Sequence, residues 1–411
     1  MRIERLGNLG SAPAVLRALA YAAERCGLPP PAALIGDWFG SSAVIAPSLN
    51  AVAVDEVFAV PVGASGEAIG GGWFGYLSYP DGGGRVPEAA GGWSDCVLRQ
   101  DSDGQWWYEN LSGATLSAWV VKALQTHETP RPVDVVWGDA DRKAHRRGVL
   151  ECLEAIAAGE VYQACVCTQF AGRLSGKPID FFVDAVTRTS PARAAFLAGE
   201  WGAVASLSPE LFLRRSGETV TSSPIKGTLP LHADPAALRA SVKDVAENIM
   251  IVDLVRNDLG RVALTGTVTV PELLAVRPAP GVWHLVSTVS ARVKADIPMA
   301  AVLDATFPPA SVTGTPKDRA RQLLADWEPR RRGVYCGTVG LASPIAGCEL
   351  NVAIRTVEFD GHGNAVLGVG GGITADSDPD REWDECLHKA APIIDRPGSA
   401  LRESRPIVSA R

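Results

Sequence analysis

Between Ala203 and Thr228 the chain reads AVASLSPELFLRRSGETVTSSPIKGT. Apolar alternation over Ala203 to Leu207 and Leu211 to Leu213, a polar Arg-Arg-Ser-Gly-Glu turn and then Thr219-Val220-Thr221 predict a β-hairpin. With the turn centred on Gly217, Glu210 lies opposite Pro224, and Lys226 follows two residues along on the same face. Diagonal neighbours across a strand pair stand about 7–8 Å apart, within reach of one small molecule. Taken singly, each residue suits a solvated surface. Pro224 and Gly227, however, fix the backbone on either side of Lys226, which serves little purpose for a freely mobile lysine. An acid and an amine aimed at one place are the feature that the rest of the chain must support.

The 411 residues suffice for a large core, as one α+β domain or as two or three average ones. A hydrophobic content of 46% with 21% charged residues fits a globular protein, and 42 Gly with 29 Pro indicate many turns. The 39 basic and 46 acidic side chains leave a net charge of −7, so no general basic field attracts nucleic acid or anionic lipid, and a small-molecule substrate is expected. The 8 cysteines include no CxxC. They are expected to be reduced, mostly buried thiols of a cytoplasmic protein, with the nearest pair, Cys165 and Cys167, facing apart. No apolar run approaches the length of a membrane span, and the N-terminus lacks a signal-peptide pattern.

Along the chain, Ala12 to Arg25 reads as a helix, and GGGWFGYLSY (Gly70 to Tyr79) as a core strand behind a glycine triplet. Arg131 to Asp139 marks a change of character. Ala144 to Gly159 then has helical periodicity, Val161 to Gln169 alternates as a strand, and Pro235 to Asn257 predicts one long helix ended by Gly260. Asp244 and Glu247 share a face of that helix. Pro379 to Ala391 predicts another, N-capped by Asp378, with Glu382 and Glu385 on one face. Two such carboxylate pairs suit an octahedral Mg²⁺, which takes hard oxygen ligands and keeps several waters, although acids on a helix surface are common. Glu349 to Thr374 predicts a second hairpin, turning at Asp360 to Asn364, with Arg355 opposite the glycine run GVGGGIT. A guanidinium fork beside backbone N–H groups free of β-carbons suits a carboxylate. Ile373 stands where a dinucleotide-binding GxGxxG needs its last glycine, and TGTPK does not complete a P-loop.

As a set, SPELFL with SSPIKGT, ENIMIVDLVRNDLGRV, WHLVSTV, FPPASVTGTPK, YCGTVGL, AIRTV and GVGGGITADSDPDREWDECLHKA resemble the chorismate-utilising enzymes, over roughly residues 145 to 395. The resemblance implies an α+β fold of two packed antiparallel β-sheets with surrounding helices, as one composite domain. Residues 1–140 would form the N-terminal part of the sandwich, 141–396 the chorismate-binding catalytic region and 397–411 a C-terminal tail.

Water-adding members of the family carry a lysine on the strand matching Val161 to Gln169; Tyr162-Gln163 stand here, as in the nitrogen-adding members. Anthranilate-forming members have alanine in the segment around position 226, and members forming 4-amino-4-deoxychorismate have lysine. Lys226 therefore implies amination at ring carbon 4, leading to 4-aminobenzoate and folate, with anthranilate formation or a non-catalytic chorismate-binding subunit as the alternatives. In that reading Glu210 is the acid and Lys226 the covalent nucleophile. Mg²⁺ is held by Glu247 and Glu385, with Asp244 and Glu382 in support. Thr228, His284, Tyr335, Arg355, Lys389 and the backbone of Gly370, Gly371 and Gly372 bind substrate. No nucleophile-elbow pattern surrounds any cysteine, so ammonia is expected to come from a separate glutamine amidotransferase subunit. Relatives that bind tryptophan use a serine in an LLES-like segment and a Pro-aromatic step; IGDW (Ile35 to Trp38) and Ala192-Arg193-Ala194 stand here, so no tryptophan site is expected.

Overall fold

The computed structural model describes residues 1–61, 63 and 68–395; the expected tail, 397–411, lies outside them. Two antiparallel sheets, one 12-stranded and one 10-stranded, pack together with helices around them. Both draw strands from either side of residue 140. Strands AALIGDW (Ala32–Trp38) and SSAVIA (Ser41–Ala46) show why the larger sheet is apolar on both faces. Ala33, Ile35, Ala43 and Ile45 join a core beneath the helices Ala12–Arg25 and Pro178–Thr189, whereas Leu34, Val44 and Ala46 join one shared with Phe74, Tyr76 and Leu341 of the other sheet. A strand covered on both sides reads as a continuous apolar run.

The expected hairpin from Ala203 is only half right. Gly202–Ser208 belongs to the larger sheet, and the hairpin is Leu211–Ser216 with Thr219–Ser223 in the smaller one. The chain changes sheets at Pro209 and Glu210. Its neighbour does the same in reverse: Gly347–Val352 pairs with Leu211–Ser216 in the smaller sheet, and Thr356–Asp360 pairs with Gly202–Ser208 in the larger. The second expected hairpin is thus confined to Thr356–Asp360 and Asn364–Ile373. Two backbone bonds tie the double crossing, Leu207 N–H to Arg355 O and Val352 N–H to Glu210 O, both 3.0 Å. Arg355 takes a left-handed φ of 52° at this joint. Alternation gives a strand its faces but not its sheet, which is why the crossing was hidden.

The long helix expected from Pro235 is two helices, Ala236–Ala240 and Val242–Gly260. Ser241 interrupts them because its hydroxyl accepts the Asp244 N–H, capping the second, and Gly260 is a helical residue of the last turn. The C-terminal helix runs Pro379–Ile394, and Asp378 caps it through the N–H groups of Asp380 and Arg381. Cys165 and Cys167 do not face apart. Residues two apart on a strand share a face, and their Sγ atoms lie 3.9 Å from each other. At IGDW the chain's own Trp38 is fully buried, with its indole N–H on Ala194 O at 3.1 Å and its ring under Arg193. Among the described residues no helix is long and apolar enough to cross a membrane.

Candidate active site

Glu210 sits at the sheet crossing, 3% exposed. Extending the Leu211↔Ser223 pairing places it beside Pro224, as the sequence predicts, and its carboxylate accepts the Ile225 N–H at 3.4 Å. Burial raises its pKa to about 7; Ser311, Lys226, the Ile225 N–H and Lys389 pull it back towards the usual range. A carboxyl poised there can give up a proton near neutrality.

Lys226 follows on the strand Ile225–Pro230, whose register against Val282–Arg292 slips between Ile225 and Thr228. A bulge of this kind re-aims side chains. Gly227 takes a φ of +85°, and a β-carbon there would lie 3.1 Å from Asp244 Cβ, so the missing side chain lets the helix Val242–Gly260 close on the strand. Asn248 fixes that helix by donating to Leu285 O at 3.2 Å. On the same strand pair, Thr228 Oγ1 meets His284 Nδ1 at 2.9 Å. Burial, reinforced by Arg355, lowers the His284 pKa to about 4, so the imidazole is neutral.

The facing wall is the glycine run at the end of Asn364–Ile373, where Gly370, Gly371 and Gly372 pair with Cys167, Val166 and Cys165 of Gln163–Ser175. A β-carbon on Gly372 would stand 2.2 Å from Gln163 Nε2 and 3.3 Å from Lys226 Nζ. One on Gly371, facing the other way, would stand 3.0 Å from Glu382 Oε2. Lys389 donates to Gly370 O at 2.7 Å and pairs with Glu385 at 2.7 Å, fastening the C-terminal helix to the run. Lys226 and Lys389 lie near enough to Glu210, and Arg355 near enough to His284, to act on their titration. The Tyr335 ring packs on Gly368, and its hydroxyl lies 3.9 Å from Cys167 Sγ.

The carboxylates form the remaining side. Lys243 bridges them, 3.2 Å from Glu382 and 3.9 Å from Glu247. Burial opposes its charge, yet Glu382 and Glu247 prevail and raise its pKa. Burial raises the Glu247 pKa, whereas Lys389 overcomes burial at Glu385 and lowers it. Three members were not singled out as site residues from sequence: Lys243, Ser311 and Gln163. Gln163 is 1% exposed, and its Oε1 has no partner. Ser241, a capping residue with Asp244 three positions on, was the available signal that would have placed Lys243 on the first turn of the helix.

The model of the chorismate binding enzyme family matches residues 58–395. The chain belongs to that family. Among curated relatives, aminodeoxychorismate synthase component 1 of Escherichia coli (strain K12) is 40% identical over 248 residues, covering 59% of this chain and 54% of that protein. Anthranilate synthase component 1 of Streptomyces coelicolor is 38% identical over 255 residues, covering 60% and 50%. The chain therefore spans about half the length of the curated relatives it matches. Anthranilate synthase component I from Streptococcus pneumoniae TIGR4 shares the fold, with a TM-score of 0.72 at 22% identity over 96% of this chain and 92% of that one.

The four acids Asp244, Glu247, Glu382 and Glu385 suit a hard divalent cation. All four donors are carboxylates, the buried Glu382 Oε2 has no hydrogen-bond partner, and a lysine ammonium already lies between Glu247 and Glu382. Among the described residues no three acidic, histidine or cysteine side chains converge to enclose an ion. Its coordination would be completed by water and substrate oxygens, as Mg²⁺ sites commonly are.

Proposed function

We propose that the chain is a cytoplasmic enzyme that converts chorismate and ammonia into 4-amino-4-deoxychorismate for 4-aminobenzoate and folate synthesis. The observation that carries this reading is Lys226 beside a buried Glu210 whose pKa burial raises to about 7. Hydroxide leaves ring carbon 4 poorly unless protonated. Once the Lys226 amine has given up its proton, its attack on ring carbon 2 forms a C–N bond, shifts the ring double bonds and expels the hydroxyl, which takes the Glu210 proton and departs as water. Ammonia then attacks carbon 4, the double bonds shift back, and the bond to Lys226 breaks. Glu210 must regain a proton before the next turnover.

Glu247 and Glu385 would hold Mg²⁺, with Asp244 and Glu382 in support through water; when bound, the ion offsets the charge of the ring carboxylate. Arg355, Thr228, Tyr335, Lys389 and the Gly370 to Gly372 backbone would hold the other carboxylate and the ring, with neutral His284 against the ring substituents. A glutamine amidotransferase partner would supply ammonia. The relative named aminodeoxychorismate synthase component 1 supports this reading. The one named anthranilate synthase component 1 keeps amination at carbon 2 as the rival. Incubation with chorismate, Mg²⁺ and ammonia decides between them. 4-Amino-4-deoxychorismate is the expected product; fluorescent anthranilate, another 2-amino product or unconsumed chorismate would contradict the assignment.

A further inference from the structure

Behind Glu210, away from Lys226, a narrow cavity reaches Asp258 near the end of the helix Val242–Gly260. About 10 Å³ of it is open to the centre of a water molecule, and every residue lining it is buried. One water needs roughly that volume and two to four polar partners. Glu210, Ser222, Asp258, Thr306 and Ser311 supply them in an otherwise apolar lining that includes Phe212 and Leu259.

The far end of this cavity is a buried ion pair. Lys317 Nζ lies 2.5 Å from Asp258 Oδ2 and 2.9 Å from Thr306 O. A lysine at the first position of a helix, as Lys317 is in Lys317–Trp327, opposes the helix dipole. Its ammonium is instead turned back onto Asp258, and burial lowers its pKa. The pair also anchors the segment Phe307 to Pro316, and that segment carries Ser311 to Glu210. Removing one partner of such a pair would leave the other charge buried alone.

We infer that the cavity holds one water joining the Glu210 carboxyl to Asp258, so that Asp258, Lys317 and Ser311 are positioning residues that set the protonation of Glu210. The inference rests on the proposed acid role of Glu210. Asp258 offers the water a carboxylate acceptor, which favours the protonated form of Glu210. Ser311 donates to Glu210 directly and favours the ionised form. Lys226 and Lys389 also favour its ionised form. Burial raises the Asp258 pKa to about 6, below that of Glu210; Lys317 and Arg261 favour its ionised form, and Asp318 opposes it.

The test follows the carboxylic-acid infrared band of Glu210, assigned by its loss in Glu210→Gln, through a pH titration of the folded chain without substrate. Asp258→Asn is expected to move the titration to lower pH, and Ser311→Ala to higher pH, each by about half a unit or more. In turnover with chorismate, the fall of kcat at high pH should move in the same two directions. If Asp258→Asn does not fold, the double variant Asp258→Asn/Lys317→Met, which removes both charges, should still shift the band downwards. An unchanged titration in these variants would overturn the inference. Absence of turnover in the wild-type chain would instead count against the proposed function, because the band reports on Glu210 without catalysis.

Discussion

Lys226 Nζ occupies space that any side chain at residue 372 would contest, since a β-carbon on Gly372 would stand 3.3 Å from it. The same β-carbon would lie 2.2 Å from Gln163 Nε2. Gly372 does not adopt a left-handed φ, so alanine there meets crowding at the site without backbone strain. Gly372→Ala is expected to lower kcat/KM at least about 100-fold while shifting Tm little, because the displaced atoms are ends of side chains whose placement governs the reacting geometry. Kinetics beside a thermal melt check this; a large loss of Tm with normal kcat/KM would contradict it.

The second prediction concerns pH. If Glu210, with its pKa near 7, is the acid, kcat should fall as pH rises through about 7, and Glu210→Gln should remove most activity. Stability follows with a definite sign. An unfolded glutamate titrates near 4.3, so between that value and about 7 the folded chain keeps a proton that the unfolded chain has lost. Stability therefore declines across this window as pH rises. Glu210→Gln should stabilise the fold by about 1–3 kcal/mol above pH 7, and the gain should vanish towards pH 4. Urea melts at three pH values measure it; a gain that does not depend on pH would show that Glu210 is not held protonated.

How much of this was legible beforehand varies with the range of the forces involved. Glu210 falls beside Pro224 as expected only because the register slips between Leu211 and Arg214; the turn pairs Ser216 with Thr219, which alone would have placed Glu210 opposite Ile225, and the sequence does not show that slip. The helix Pro379–Ile394 was readable from Asp378 and its periodicity. The two sheet crossings were not, since Gly202–Ser208 and Leu211–Ser216 differ only in the distant strands they meet. Spacing put Asp244 with Glu247 and Glu382 with Glu385 on helix faces, but the contacts of Lys243 with Glu382 and of Lys389 with Gly370 O are fixed by tertiary packing. Cys165 and Cys167 were misjudged despite a plain period of two.

Metal dependence gives a third prediction. Glu247→Gln and Glu385→Gln each remove a charge from a set of carboxylates whose lysine neighbours, Lys243 and Lys389, remain. Each is expected to abolish Mg²⁺-dependent turnover and to weaken Mg²⁺ binding in calorimetry with chorismate present, with folding retained. Full activity of either variant in a chelator would exclude these ligands.

The nitrogen source is the fourth. Six of the 8 cysteines in the sequence are buried, and Cys386 lies inside the C-terminal helix 3.6 Å from His145. Buried thiols make poor nucleophiles, and burial pushes the Cys386 thiol up to about 12. The purified chain is expected to use ammonia but not glutamine, and to gain glutamine-dependent activity when an amidotransferase subunit is added. Steady-state assays with each donor check this. Glutamine-dependent product formation by the chain alone would show that the two tasks are not divided.

The most direct measurement is intact-protein mass spectrometry after mixing the chain with chorismate and Mg²⁺ in the absence of ammonia. If Lys226 attacks ring carbon 2 as the hydroxyl leaves, the wild-type chain gains the mass of chorismate less one water, and Lys226→Ala gains nothing. An equal adduct on Lys226→Ala would contradict the assignment of Lys226 as the nucleophile.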